Sequence, residues 1–193
     1  MGFVLDKIEK ITRHPAMSGN IPANWPQFAG WIDHSENLPK LFWMTLIAGR
    51  GPDGPSPPDY YQRACKYAFT QSQRVVDGPL DVLYLLRDPA VNSIAKEFLK
   101  RMQTVVRMRR LMLTEKRKIL GLVPDDADQG DYICILFRCS VPVVLREVKH
   151  VPTSTQDKGT HYEFVGECYV HGMMDGEAVE AVTAKDYQTF ELR

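Results

Sequence analysis

Five short runs typical of β-strands follow one another after residue 108, and this feature constrains the fold more than any other. The runs are RRLMLT, ILGLV, YICILF, PVVLREV and YEFVGECYV. Turn-forming sequences separate them, including PDDADQGD, RCSVP and the long polar KHVPTSTQDKGT. Strands of this length usually curl into a small barrel or a tightly bent sheet. The closing YQTFELR alternates again and is a candidate edge strand.

The preceding residues have a different pattern, which predicts one strand and then mainly helices. GFVLDKIEKI alternates in part, and we expect this strand to join the later sheet. Helical periodicity marks LPKLFWMTLIAG and DYYQRACKYAFTQSQRVV, which the loop GRGPDGPSPPD separates. The clearest helix is DPAVNSIAKEFLKRMQTVVRMRR, for which Asp88 is the expected cap. Its predicted apolar stripe consists of Ile94, Phe98, Leu99, Met102, Val105 and Val106.

These patterns predict an α+β fold, in which an N-terminal strand and a helical half precede a small, strongly bent antiparallel β-sheet or barrel. We expect residues 1–193 to form a single domain, mainly helical over 1–107 and mainly β over 108–193. Lys+Arg and Asp+Glu number 24 each, so the net charge does not favour binding to nucleic acid or an anionic membrane. No apolar run approaches the roughly 20 residues that cross a bilayer, and the N-terminus does not have the pattern of a secretory signal. We therefore expect a cytoplasmic protein.

The stretch GECYVHGMMDGEAV contains the residue types of nucleophilic sites. A cysteine nucleophile needs a neighbouring base, here His171, to form its thiolate. Residues three apart on a strand point to opposite faces, so Cys168 and His171 meet only if the chain bends between or beside them. The alternation predicts an inward face of Tyr162, Phe164, Cys168 and Val170, and an outward face of Glu163, Glu167 and Tyr169. We therefore predict that Cys168 is a core residue and not a nucleophile.

A metal site is the second reading of the same stretch, through Glu167, His171, Asp175 and Glu177. Zinc prefers several convergent His and Cys ligands, and only one histidine is present here. The DGE sequence lacks the remaining oxygen ligands of a calcium loop. We predict a tight turn or a single helical turn around Gly176, with no metal and no cofactor.

The other candidates for chemistry are also weak. The cysteines Cys65, Cys134, Cys139 and Cys168 have no CxxC spacing, so we expect reduced, mostly buried thiols. Ser140 and Ser154 lack the context of a nucleophile elbow. A basic run consists of Lys100, Arg101, Arg107, Arg109, Arg110, Lys116, Arg117 and Lys118. Such a run can follow a phosphate backbone, but without a nucleic-acid motif we favour a solvated face.

The ordered string RRLMLTEKRKILGLVPDDADQGDYICILFRCSVPVVLR, followed by HYEFVGECYVHGMMDGEAV, resembles the C-terminal segment of fungal heterokaryon incompatibility (HET) domain proteins. The resemblance runs in order over Arg110–Val179. LFWMTLIAG resembles the helix that precedes this segment in the family, and GFVLDKIEKI resembles the strand just after the HET domain. Arg117 and Arg138 stand where the family usually has glycine. Both positions are expected in turns, so each arginine implies a different turn or a relaxed constraint.

The resemblance implies a role in fungal self/non-self recognition, in which fusion of incompatible strains triggers programmed cell death. The HET domain, to which killing is attributed, has no counterpart in this sequence. We therefore interpret the chain as the C-terminal region alone, either a truncated paralogue or a fragment of a gene. By resemblance it is a non-enzymatic regulatory or interaction module, whose partner is another protein or a HET domain in trans.

Two alternatives stay open. One is a small barrel that binds a nucleotide-like metabolite or nucleic acid, and the other is a cysteine hydrolase that uses Cys168 and His171. The first candidates for contact with a partner are Glu167, His171, Asp175, Arg109 and Arg110.

Overall fold

The computed structural model of the chain describes residues 1–33, 37–52, 54, 56–72, 79–148, 160–180 and 182–193. Most of the predicted loop KHVPTSTQDKGT, together with Ser154 and Val76, lies outside these residues. The chain divides into two compact units. The β unit contains Met1–Ile11 and Met112–Arg193, and the helical unit contains Thr12–Leu111. The predicted α+β fold is confirmed, with the first strand, then helices, then the remaining strands.

The helical unit is built around long helices that pack through aromatic side chains. Its helices are α1 (Trp25–Phe28), α2 (Lys40–Leu46), α3 (Tyr60–Ser72), α4 (Val82–Arg87) and α5 (Ser93–Val106). Tyr61 of α3 meets Phe98 of α5 edge to face, with ring centroids 5.5 Å apart. Phe42 and Phe69 contact each other at 5.6 Å, and both contact Trp31. Aromatic pairs of this kind stabilise a core beyond the area that they bury.

The start of α5 differs from the prediction. Asn92 caps the helix, because its Oδ1 accepts the N–H of Ala95 at 2.8 Å. Asp88 instead follows α4 in extended backbone, and its carboxylate accepts the N–H of Ala90 at 2.8 Å. The later start leaves Ile94 49% exposed, so its place in the predicted stripe is wrong. The buried members of the stripe are Phe98, Leu99, Met102 and Val106.

The β unit is one mixed sheet in which the first strand lies between later ones. The strands of the sheet are β1 (Gly2–Ile11), β2 (Arg109–Thr114), β3 (Leu120–Pro124), β4 (Tyr132–Leu136), β5 (Val143–Val148), β6 (His161–Glu167), β7 (Tyr169–Val170) and β8 (Glu191–Leu192). The first three residues of β2 are assigned to the helical unit. The strand order is β7-β3-β2-β1-β4-β5-β6-β8. β1 is antiparallel to both β2 and β4, which confirms that it joins the later sheet.

The edge strand predicted for YQTFELR is present as β8, but it is parallel to β6. The prediction of a purely antiparallel sheet is therefore wrong at this edge. A parallel pair needs a connection of about a dozen residues or more, and the long segment between β6 and β8 supplies it.

A bend at Cys168 brings the two ends of the strand order together. β6 and β7 are consecutive in the chain, with only Cys168 between them. β6 pairs with β5, whereas β7 pairs with β3, where Gly121 lies opposite Val170. Gly166 also lies so close to β3 that a Cβ there would be 2.7 Å from the Cγ of Pro124. The sheet therefore curls around a common interior.

Alternating side chains divide between two apolar clusters. The inner cluster consists of Phe3, Leu5, Ile8, Met112, Val123, Ala127, Ile133, Val144, Cys168, Val170 and Ala178. The outer cluster consists of Cys134, Val143, Leu145 and Phe190, with Val4, Tyr132, Leu136 and Tyr162 packed against it. Neighbouring residues of β4 and β5 alternate between the clusters, as in any pleated sheet. Both faces of these two strands are therefore covered.

The predicted faces of YEFVGECYV are correct only in part. Cys168 and Val170 are buried, but Phe164 is 50% exposed and Tyr169 only 6% exposed. The reason is a bulge in β6, where Val144 lies opposite Gly166 and Leu145 lies opposite Phe164. The extra residue shifts the alternation, which the simple two-residue period does not anticipate.

Arg138 occupies backbone that favours glycine. Its φ is +73°, in the turn between β4 and β5, and the neighbour of Arg117, Lys118, has a φ of +54°. A side chain in left-handed backbone costs roughly 1–2 kcal/mol. We expect Arg138→Gly to raise the free energy of unfolding by about 0.5–1 kcal/mol, after the entropy cost of glycine. Urea unfolding measures this change, and Arg138→Ala, which keeps the strain, should show no gain. A loss of stability in Arg138→Gly would contradict the strain at this turn.

Candidate functional site

Cys168, the cysteine of the alternative hydrolase reading, lies in the core of the β unit. Cys168 is 3% exposed and belongs to the inner cluster. Its backbone N–H donates to the carbonyl oxygen of Pro142 at 2.9 Å, beside the start of β5. The prediction that Cys168 faces the core is confirmed, and its position follows from the bend between β6 and β7.

The polar residues after Cys168 form a turn. The Tyr169 hydroxyl and the Nδ1 atom of His171 are 3.0 Å apart. The backbone N–H of Asp175 donates to Oε2 of Glu177 at 2.7 Å. Gly176 has a φ of +107°, and the single-turn helix α6 (Glu177–Glu180) follows it. The predicted glycine-dependent turn is confirmed, and within the described ranges no group of three or more His, Cys, Asp or Glu side chains is arranged to hold a metal ion.

Asp6 is a nearly buried carboxylate whose partners are backbone N–H groups. It is 3% exposed and accepts the N–H of Lys7 at 2.8 Å, of Lys116 at 3.1 Å and of Arg117 at 2.9 Å. Burial acts to raise the pKa of this carboxyl, but these backbone donors outweigh burial and lower it. Asp6 on β1 therefore fixes the turn between β2 and β3.

A second nearly buried carboxylate, Asp131, binds Arg146 of β5 through two hydrogen bonds. Nε of Arg146 is 3.0 Å from Oδ1, and one terminal nitrogen is 2.8 Å from Oδ2. The same Oδ2 accepts the N–H of Asp128, and Arg146 also donates to the carbonyl oxygen of Asp126 at 2.7 Å. The hydrogen bond that Arg146 donates to Asp131 raises the pKa of Arg146. This fork geometry attaches the PDDADQGD loop to the sheet.

A family model for the Het-6 beta-barrel domain matches residues 86–190, which is more than half of the 193 residues. The chain belongs to the Het-6 β-barrel family. This family is related to fungal heterokaryon incompatibility, so the resemblance predicted from the sequence is confirmed. Searches of the curated proteins and of the solved structures gave no significant match. Among the residues that the structure describes, the helices lack the length and apolar character needed to cross a membrane.

The β unit has a cleft of about 430 Å³, which the sequence did not predict. It is lined by Val4, Leu5, Asp6, Lys7, Glu115, Lys116, Tyr132, Tyr162 and Gln188. The ammonium group of Lys7 lies 4.3 Å from the centre of the Tyr132 ring. The hydroxyl of Tyr132 donates to a carboxylate oxygen of Glu147 at 3.1 Å. The Tyr132 side chain raises the pKa of Lys7, and burial raises the pKa of Tyr162. A cation held over an aromatic ring is a stabilising contact.

A bulge in β1 explains why the alternation of the sequence did not predict this cleft. The pairing with β4 shifts between Val4 and Asp6. Strict alternation puts Lys7 on the same face as Phe3 and Leu5, whereas the shift places it among the cleft residues. One feature of the sequence could have indicated the cleft: β4 and β6 each have a tyrosine near their start, Tyr132 and Tyr162.

The residues predicted to contact a partner fall into two sets. In the Het-6 barrel's β unit, Glu167 and Asp175 are exposed and His171 is half-buried. Arg109 and Arg110 are half-buried at the start of β2 and are assigned to the helical unit. All five make interactions within the chain. Their role in partner contact stays a prediction.

The basic run is also divided between the units, and some of it has structural roles. Arg101 donates to the carbonyl oxygen of Ile47 at 3.4 Å in the helical unit. In the β unit, Lys118 lies 2.7 Å from a carboxylate oxygen of Glu9. Lys116 and Arg117 use their backbone N–H groups on Asp6.

All four cysteines carry reduced thiols. Cys65, Cys134 and Cys168 are buried and Cys139 is exposed, as the prediction of mostly buried thiols requires. Burial raises the pKa of Cys134 to about 12, and it also raises the pKa of Cys65. A thiol with a raised pKa forms little thiolate and is a poor nucleophile.

Proposed function

We propose that this Het-6 barrel is a non-catalytic regulatory or interaction module that acts in the cytoplasm during fungal self/non-self recognition. Its partner is a protein, either another chain or a HET domain in trans, and its output is incompatibility cell death. The observation that carries the proposal is the burial of Cys168, the cysteine of the alternative hydrolase reading, among the apolar side chains of the inner cluster. A side chain in that position contributes to packing.

The two nearly buried carboxylates support the same proposal. Asp6 is surrounded by backbone N–H groups, and Asp131 is bound by Arg146. A general base must reach a proton on its substrate. These two carboxylates instead hold a turn and a loop of the sheet, which is what a stable binding scaffold requires.

The test is expression in fungal cells. The chain alone should leave viability unchanged, whereas a HET domain that kills on expression serves as the positive control. Co-expression of the two should change the fraction of cells killed, and the double variant Cys168→Ala, His171→Gln should act as the unmodified chain does. Killing by the chain alone that the double variant abolishes would contradict the proposal.

The cleft favours a second candidate function, which is binding of a nucleotide-like ligand. Lys7 and Lys116 are positioned for an anionic group, and Tyr132 and Tyr162 offer aromatic rings to a base. Calorimetric titration at low salt with mononucleotides and with short single-stranded oligonucleotides tests this function. Binding that weakens with salt and with Lys116→Met would support it, and no heat at low salt would exclude it.

A further inference from the structure

The segment Tyr187–Arg193, here named the strap, crosses the outer face of the β unit. At one end, Gln188 and Gly2 exchange two backbone hydrogen bonds of 2.8 and 3.0 Å. At the other end, β8 pairs with β6, and the N–H of Arg193 donates to the carbonyl oxygen of Tyr162 at 3.0 Å. The strap thus connects β1 to β6 over the strands between them.

An aromatic side chain anchors the strap. Phe190 is only 8% exposed and packs with Cys134, Val143 and Leu145 in the outer cluster. Its ring also meets Tyr162 edge to face, with centroids 5.3 Å apart. Phe190 therefore packs on an apolar surface formed by side chains of β4, β5 and β6.

A charged side chain, Glu191, makes the second side-chain contact between the strap and β6. His161, at the start of β6, is 2% exposed, and its Nδ1 lies 3.3 Å from Oε2 of Glu191. Glu191, which directly follows Phe190, thus places its carboxylate next to the buried imidazole of His161. Together, the two contacts select an aromatic residue followed by an acidic one.

The part of the strap that follows Gln188 has few backbone contacts. Its pairing with β6 covers only two residue pairs, His161 with Glu191 and Tyr162 with Leu192. Glu191 and Leu192 are themselves exposed, at 54% for the Glu191 side chain and 46% for Leu192. At this end of the strap the buried side chain is Phe190, whereas at the other end Tyr187 packs against Phe3 and Phe137. Another strand with the same side chains as Phe190 and Glu191 can make the same contacts at the β6 end.

We propose that the strap is a built-in ligand, and that it occupies the docking groove for an extended partner peptide with an aromatic residue followed by Asp or Glu. The partner strand adds to the edge of β6, places its aromatic ring where Phe190 lies and puts its carboxylate on His161. Addition of a strand to a sheet edge is an established mode of peptide recognition. The inference rests on the proposed interaction role and identifies the surface and partner for it.

The tether makes the strap a competitor as well as a template. A short tether gives an effective concentration in the millimolar range, so a free peptide with the same side chains binds weakly while the strap is in place. A partner reaches the groove when it has further contacts or when the strap is weakened. The strap therefore raises the threshold for binding at this groove.

A labelled peptide of sequence YQTFELR tests the proposal by fluorescence anisotropy on the full chain. Phe190→Ala weakens the strap, so we expect the peptide to bind this variant at least tenfold more tightly than the unmodified chain. Glu191→Lys removes the contact to His161 and leaves the side chains of the outer cluster unchanged. This variant should also bind the peptide more tightly than the unmodified chain does. The control peptide, with alanine in place of phenylalanine, should bind at least tenfold more weakly to both variants.

Circular dichroism checks that each variant is folded, and Glu191→Lys keeps the test valid if Phe190→Ala unfolds. Equal binding to the three chains, binding to none of them, or equal binding of the two peptides would each overturn the proposal. These outcomes are distinct from the viability test, because a non-catalytic module with a different docking surface would fail here and still leave fungal cells alive.

Discussion

Asp6→Ala is expected to lower the free energy of unfolding of the β unit by about 3 kcal/mol. The substitution leaves the N–H groups of Lys7, Lys116 and Arg117 without their shared acceptor, and unmade hydrogen bonds of partly buried donors are costly. The turn between β2 and β3 then loses the contact that fixes it to β1. Urea unfolding followed by circular dichroism measures the loss.

The Asp6 effect should also depend on pH. The backbone donors hold the folded pKa below the ordinary value of 3.8, so the ionised carboxylate stabilises the folded state above that value. This stability is lost as the pH falls through the lower folded pKa. The difference between the unmodified chain and Asp6→Ala is therefore largest near pH 7 and shrinks below about pH 3.8.

Asp126→Ala is the matched control, since Asp126 is an exposed carboxylate of the same unit. We expect its effect to stay within about 0.5 kcal/mol. An Asp6→Ala cost below about 1 kcal/mol, or a cost that does not change with pH, would contradict the role of Asp6 as an ionised acceptor.

Gly121→Ala is expected to cost about 3 kcal/mol, because β3 and β7 approach too closely for a side chain. A Cβ at Gly121 would lie 2.4 Å from the carbonyl oxygen of Tyr169 and 2.3 Å from the methyl group of Met112. The methionine can move, but the carbonyl belongs to the backbone of β7. Relief of the clash requires separation of the pair that joins the bent strand to β3.

Gly130→Ala separates this steric effect from the ordinary strain of replacing glycine. Gly130 has a φ of +92°, and no atom lies within 4 Å of its Cβ position. We expect a cost of about 1 kcal/mol from backbone strain alone. Thermal and urea unfolding of the two variants should rank Gly121→Ala as clearly the less stable, and equal costs would show that β3 and β7 tolerate a side chain between them.

The sequence predicted most strands of the fold because alternation and turn chemistry agree along them. It missed α4 because this six-residue helix is too short to show a clear period. The Asp88-Pro89 pair also has the features of a helix start, although Asn92 provides the cap. The sequence therefore contains two possible starts for this helix, one at Asp88 and one at Asn92, and local sequence alone does not distinguish between them.

Bulges account for the errors in side-chain placement. One inserted residue in β1 moves Lys7 to the cleft, and another in β6 moves Phe164 to solvent. A bulge leaves no mark in a two-residue period, so both strands looked regular. Cys168 was placed correctly because the inner cluster surrounds the bend itself.

The candidate docking groove was beyond prediction for a different reason. YQTFELR was recognised as an edge strand, but the partners of Phe190 are Cys134, Val143 and Leu145, all more than forty positions earlier. Contacts between such distant segments depend on the strand order, which alternation does not determine.

The central claim, that Cys168 is a packing residue of a binding module, is tested most directly by thiol labelling of the folded chain. Iodoacetamide at neutral pH, with peptide mapping by mass spectrometry over time, reports each of the four cysteines separately. The account predicts that Cys139 is labelled rapidly and that Cys65, Cys134 and Cys168 are labelled only when the chain unfolds in urea. Rapid labelling of Cys168 in the folded chain, at a rate equal to or above that of Cys139, would contradict it and would favour a reactive cysteine at the bend.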